Sequence, residues 1–241
     1  MVVHIVIPVY NEEKILQQNV ERLLAWCRSH KSADVDWQLV IADNQSTDRT
    51  RLIAQALVAQ YPEVAYVRAA KRGKGAAIRA GWQLRPADIY CFMDADLATD
   101  LSALKPLVAG VRDGYDLVVG SRFHPQSHVQ RSPLRLLLSW GYRLVLKLAF
   151  GLTVTDAPCG FKAVSRRARV KLLPLVHDDA WFFDSELVIL AEHHRFRIKE
   201  IPVAWHEPRS GRRESRVNVI AVALAYLRRV RALRRRLYRN R

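Results

Sequence analysis

Ile89-Tyr90-Cys91-Phe92-Met93-Asp94-Ala95-Asp96 is the stretch on which the fold turns. Its apolar run reads as a buried strand, and two carboxylates one residue apart end it. Carboxylate oxygens arranged in this way suit a shared Mg2+ or Mn2+. Such an ion keeps positions open for phosphate oxygens, which points to a nucleoside-diphosphate ligand. Alone, Asp-x-Asp is more often a helix cap. Its surroundings reverse that reading.

Outward from this stretch, strands and helices alternate. His4 to Val9 reads as a strand, Glu12 to about His30 as a helix, and Trp37 to Ala42 as a second strand. A helix from about Asp48 to Gln60 follows, capped by Ser46 or Thr47. Val64 to Val67 makes a third strand, Lys74 to Leu84 a helix, Ile89 to Met93 a fourth strand, and Asp116 to Val119 a fifth. This rhythm predicts an α/β fold, an open and mostly parallel sheet with helices on both faces. Ligands of such sheets bind beyond the carboxyl ends of the strands. Asn11-Glu12, Asp43, Asp94-Ala95-Asp96 and Ser121-Arg122 all fall there.

With 241 residues, half of them hydrophobic, the chain can bury one sizeable core and is not a disordered polymer. Cys27, Cys91 and Cys159 are scattered and imply no disulfide framework. Met1-Val2-Val3-His4 runs straight into the first strand, so no signal peptide is expected. No stretch reaches the roughly 18 apolar residues of a membrane span. The expectation is a cytoplasmic protein, peripheral at the inner face of a membrane.

The nucleotide signal is not of the dinucleotide or Walker type. Instead the first strand ends in Pro8-Val9-Tyr10-Asn11-Glu12, the second in Asp43-Asn44-Gln45-Ser46-Thr47-Asp48, and the third leads into Lys71-Arg72-Gly73-Lys74-Gly75. Gly73 and Gly75 permit a tight turn, and Lys74 can reach a phosphate. Each segment alone is an ordinary strand-to-helix turn; their order and spacing carry the signal.

That order, followed by Met93-Asp94-Ala95-Asp96-Leu97 and Gly120-Ser121-Arg122, resembles family-2 glycosyltransferases with the GT-A fold. Asp156-Ala157-Pro158-Cys159-Gly160-Phe161-Lys162, Phe183-Asp184-Ser185-Glu186-Leu187, Ile198 to Trp205 and Ser215-Arg216-Val217 narrow the resemblance. They look like the dolichyl- or polyprenyl-phosphate hexosyltransferase branch, most similar to dolichyl-phosphate glucosyltransferases. The resemblance covers about Val3 to Val217. It implies inverting, metal-dependent transfer of a hexose, glucose first, from a nucleotide sugar to a polyprenyl or dolichyl phosphate. Mannosyl or N-acetylhexosaminyl transfer to the same lipid class is the alternative. UDP-glucose or GDP-mannose is the type of donor.

The resemblance also implies roles. Pro8, Tyr10, Glu12, Lys74 and the Asp94-Ala95 pair would line the donor site, with Asp43 reading the base. Asp96, with Asp94, would hold the metal, and Asp94, Asp96 and Arg122 form the catalytic set. The acceptor phosphate would meet Arg122, Arg135 and Ser139. Two departures stand out. The family commonly carries adjacent Asp residues where this chain has Asp43-Asn44, and often Gln where it has Ala98.

The residues argue for a lipid acceptor independently. Leu134 to Phe150 is strongly apolar, and Arg135, Ser139, Arg143 and Lys147 recur every four residues along one helix face. A mostly apolar helix with a basic stripe suits a membrane surface. It also reads as a core helix with a solvated basic edge.

The net charge of +16 is concentrated at the end, where eight arginines are the only charged residues from Arg228 onward. Val219, Ala223, Tyr226, Val230, Leu233 and Leu237 make one apolar stripe on a helix. This divides the chain into a catalytic domain over 1–216 and a basic amphipathic tail over 217–241. The tail reads first as an interfacial membrane helix on anionic lipid. The stripe also fits a coiled-coil seam, which would make a homo-oligomer. A nucleic-acid arm leaves the stripe unexplained, so no nucleic-acid partner is expected. A non-catalytic basic binding protein is the reading from another class. It has no need of Glu12, Asp94, Asp96 and Arg122 together.

Overall fold

The computed structural model describes residues 1–31, 34–130, 132–206 and 219–238. The first half alternates as expected: β1 (Val2–Val9), α1 (Leu16–Ser29), β2 (Asp36–Asp43), α2 (Thr50–Gln60), β3 (Val64–Arg68), α3 (Lys74–Leu84) and β4 (Ile89–Met93). Then come α4 (Leu104–Arg112), β5 (Leu117–Ser121), β6 (His128–Gln130), α5 (Pro133–Phe150), β7 (Phe161–Ser165) and α6 (Arg166–Leu172). The described chain ends with α7 (Phe183–His193), β8 (Ile198–Pro202), β9 (Ala204–His206) and α8 (Val219–Tyr238).

Seven strands form one sheet in the order β3-β2-β1-β4-β7-β5-β8. All neighbours are parallel except β7, which runs antiparallel to both β4 and β5. The continuous apolar runs of β1, β2 and β4 are buried on both faces, as covered parallel strands require. Trp82 of α3 packs against Phe92 of β4 and Phe183 of α7, which fixes two helices to one face. β6 pairs with β9 in a small parallel ribbon, and Trp205 of β9 bridges to Thr99 beside the end of β4.

Among the boundaries that differ from the sequence reading, three have a visible cause or consequence. The first helix begins at Leu16, not Glu12, because the Asn11–Glu13 loop is tied to the start of α2. There the Glu12 amide donates to Thr50 Oγ1 at 2.8 Å and the Glu13 amide to Asp48 at 3.2 Å. Neither Ser46 nor Thr47 caps α2. Both bond Asn11 instead, while Asp48 accepts from the Thr50 amide at 2.9 Å. The fifth strand runs on to Ser121, and Asp116 lies outside it, paired with Arg167.

The two amphipathic helices behave oppositely. α5 leaves one apolar face outward: Leu137 is 69% exposed, Trp140 51% and Leu148 75%. The core-helix reading holds for the opposite face, where Leu146 is buried and Tyr142, Val145, Ala149 and Phe150 pack against the core. α8 turns its apolar stripe inward. Val230 and Leu233 join the single core, and Tyr226 meets the rings of Tyr142 and Phe182. The described part of the tail is thus a helix docked on the domain. Among the described side chains of its stripe, Tyr226, Val230, Leu233 and Leu237 pack on the domain's core.

Candidate active site

β4 delivers Asp94 and Asp96 to the carboxyl edge of the sheet. The turn beyond closes by the Leu97 amide donating to Asp94 O at 3.2 Å and the Ala98 amide to Asp96 Oδ1 at 3.1 Å. Asn19 of α1 holds the Ala95 carbonyl at 2.8 Å. The helix-cap role belongs to Asp100, which accepts from the Ser102 amide. Asp94 and Asp96 are therefore left to the cleft, which they line with Arg122, Cys159, Gly160 and Trp205.

Lys74 opens α3 but does not extend into solvent. It is 7% exposed, and its Nζ lies 2.7 Å from Asp94 Oδ1 and 2.8 Å from Asp184 Oδ2. Burial would depress this ammonium, but the two carboxylates outweigh it and hold its pKa above the usual lysine range. Asp184 thus anchors Lys74, and Lys74 anchors Asp94. The role of Asp184 was not readable beyond its motif.

Arg122 follows β5 and is clamped by Asp156. Two side-chain bonds of 2.8 Å and one backbone bond of 2.9 Å join them. Asp156 is held in turn by its loop, since Glu200 of β8 accepts from the Asp156 amide and from Thr155. Bidentate pairing of this kind fixes the guanidinium plane. The antiparallel β7 makes it feasible, because the loop leading into β7 crosses to the ends of β4 and β5. Ser139 is half-buried on α5. Arg135 lies in the first turn of α5, and its side chain lies outside the described ones, as does the Ser215-Arg216-Val217 segment.

On the nucleotide side, Pro8 lies half-buried next to the last residue of β1, and the Tyr10 ring lies 4.3 Å from the Arg72 guanidinium. Asp43 is fully buried and accepts from the Ser46 amide at 2.8 Å and the Tyr66 hydroxyl at 2.9 Å. Burial, then Asp43, pushes the Tyr66 hydroxyl up to about 12. Asn44, where the resemblance would have a second Asp, accepts from the Gly73 amide. That bond ties the end of β2 to the glycine turn.

The donor set fits a divalent cation. The Asp96 carboxyl is raised by burial, then by Asp94, with Glu12 adding to it. A carboxyl raised by a neighbouring carboxylate is relieved by an M2+ ion. Among the described residues no three His, Cys, Asp or Glu side chains converge. Two protein carboxylates with open positions match an ion that takes the rest of its shell from phosphate and water.

The model of a family described as Glycosyl transferase family 2 matches residues 4–173. Glycosyltransferase AglD of Haloferax volcanii is 34% identical over 209 residues, 86% of this chain and 33% of the relative. The human dolichyl-phosphate beta-glucosyltransferase is 31% identical over 84% of this chain and 67% of its own. The chain thus spans a third of the archaeal relative and about two thirds of the human one. Among solved structures, glucosyl-3-phosphoglycerate synthase from Mycobacterium tuberculosis, in complex with Mn2+, UDP and glucosyl-3-phosphoglycerate, superposes with a TM-score of 0.67. It is 19% identical, covering 98% of this chain and 79% of the other. That likeness establishes the fold.

Proposed function

The chain belongs to glycosyl transferase family 2, and on that premise we propose that it moves a hexose, glucose first, from a nucleoside diphosphate sugar to a polyprenyl or dolichyl phosphate. The observation that carries the reading is the single cleft lined by Asp94, Asp96 and Arg122. Relatives named as dolichyl-phosphate beta-glucosyltransferases support the substrate class.

The reaction is an inverting displacement. A phosphate oxygen of the acceptor attacks the anomeric carbon, the bond from that carbon to the diphosphate breaks, and the nucleoside diphosphate leaves. The acceptor is already anionic near neutral pH, so no strong general base is required. Asp96 with Asp94 would hold Mg2+ or Mn2+, which supplies charge to the departing diphosphate. Lys74 keeps Asp94 in place, and Tyr10, Pro8, Glu12 and Asp43 shape the nucleotide pocket. Arg122, its plane set by Asp156, orients the acceptor phosphate together with Ser139.

The lipid reaches the site along α5. Its outward leucines and Trp140 suit the headgroup boundary of a bilayer. No described helix is long and apolar enough to cross a membrane. In this reading the chain works at the membrane surface, on its inner face.

The test is transfer of radiolabelled glucose from UDP-glucose to a polyprenyl phosphate, with GDP-mannose and UDP-N-acetylglucosamine in parallel. Activity with one donor, lost in EDTA and in Asp96→Ala, is the expected result. Wild-type activity in Asp96→Ala would falsify the metal assignment, and no transfer from any donor would overturn the reading.

A further inference from the structure

The donor-side turn does not stand on its own. The Gly75 amide donates to the Ala180 carbonyl at 3.2 Å and the Ala76 amide to the Asp179 carbonyl at 2.9 Å. Gly73 passes so close to the Asp179 carbonyl, at φ +147°, that any Cβ there would overlap it. The segment between Asp178 and Phe182 therefore caps the first turn of α3 and sets where Arg72 to Gly75 lie.

That segment is itself built on two buried acids. Asp178 and Glu186 are each 3% exposed. The Asp178 amide donates to Glu186 Oε2 at 2.7 Å, and Asp178 Oδ1 accepts from the Ala180 amide at 2.7 Å. A carboxylate taken out of water is tolerated when it is paired. Among the described residues, both pairing cations come from α8. Arg229 Nη1 lies 3.1 Å from Asp178 Oδ2, and Arg236 Nη2 lies 2.6 Å from Glu186 Oε1. Arg236 also bonds the Leu175 carbonyl at 3.0 Å, and the Tyr226 hydroxyl bonds the Trp181 carbonyl at 3.3 Å. Tyr226, Arg229 and Arg236 share the inner face of α8 with Val230 and Leu233.

We infer that Arg229 and Arg236 are positioning residues for the donor half of the site. By neutralising Asp178 and Glu186 they hold the 178–182 segment, and that segment holds the Arg72–Gly75 turn and Lys74. The inference rests on the donor reading above. It divides the arginines of α8 by role: among the described residues, Arg229 and Arg236 pair with buried acids of the domain, while Arg228, Arg231, Arg234 and Arg235 make no such pair.

The test uses the full chain with Mn2+ and titrates UDP and GDP by calorimetry, alongside transfer kinetics. Arg229→Gln/Arg236→Gln should weaken nucleotide binding and raise the donor KM about tenfold or more, as displaced binding groups do. The KM for lipid phosphate should stay unchanged. Adding Asp178→Asn/Glu186→Gln removes the stranded acids and should restore most of the donor KM. It also supplies a folded variant if the arginine pair alone fails to fold. A donor KM in the arginine variant equal to wild type overturns the inference while leaving the donor reading intact. A quadruple variant that folds but keeps the raised donor KM overturns it too. A wild-type protein that binds neither nucleotide sinks the donor reading, and the inference with it.

Discussion

Gly160 shows how little room the catalytic residues have. A Cβ at this position would overlap the Asp94 carboxylate. Asp94 is 47% exposed at its side chain, so it can swing away rather than disrupt the core. Gly160→Ala should therefore fold with a melting temperature close to wild type. Moving Asp94 off Lys74 should lower kcat/KM by about 10- to 100-fold, the scale of a misplaced reacting group. Unchanged kcat/KM in the alanine variant would show that the site does not use this placement of Asp94. The glycine and the carboxylate were each visible in their own motifs; the contact between them was not.

At the scale of elements, α5 and α8 diverge, although periodicity alone gives both the same membrane-surface reading. Both are amphipathic, and both carry arginines. α8 buries Val230 and Leu233 in the domain, whereas α5 leaves Leu137, Trp140, Leu144 and Leu148 outside. A contiguous exposed apolar face marks an interaction surface. Arg143 lies against Phe123 and Trp140, at 5.4 and 4.9 Å, which keeps its cation at the edge of that face. Removing the end of α8 would strip Arg229 and Arg236 from buried acids as well as any membrane charge, so truncation cannot separate anchoring from folding. Leu144→Glu/Leu148→Glu can. It should release the protein from lipid vesicles in a flotation assay and leave UDP binding unchanged. Flotation equal to wild type would remove α5 as the membrane contact.

For the whole molecule, topology and charge act together. The central parallel strands bring the ends of β1, β2 and β4 to one edge, and the antiparallel β7 adds the Asp156 clamp to the same cleft. The net charge of +16 favours any anionic surface. Screening shortens the reach of these charges from about 10 Å at 0.1 M salt to about 3 Å at 1 M. Affinity for vesicles containing anionic lipid should therefore fall at least tenfold over that range, while affinity for neutral vesicles changes little. Equal salt dependence on both would show that charge does not hold the protein at the membrane.

Local chemistry was enough for much of this protein. The apolar runs of β1 to β4 and the helical spacing between them determined the parallel sheet, because burying such runs on both faces has few solutions. The Asp94-Ala95-Asp96 turn was legible because its residues sit at the end of one strand. What the tertiary structure alone decided depends on contacts distant in sequence. Lys74 meets Asp184 across 110 residues, and Arg122 meets Asp156 across 34. The insertion of β7 between β4 and β5 follows from pairing that no local pattern specifies. The inward face of α8 was illegible for the same reason. An amphipathic stripe records that one side of a helix leaves water, and only the packed molecule decides whether lipid or the chain's own core receives it.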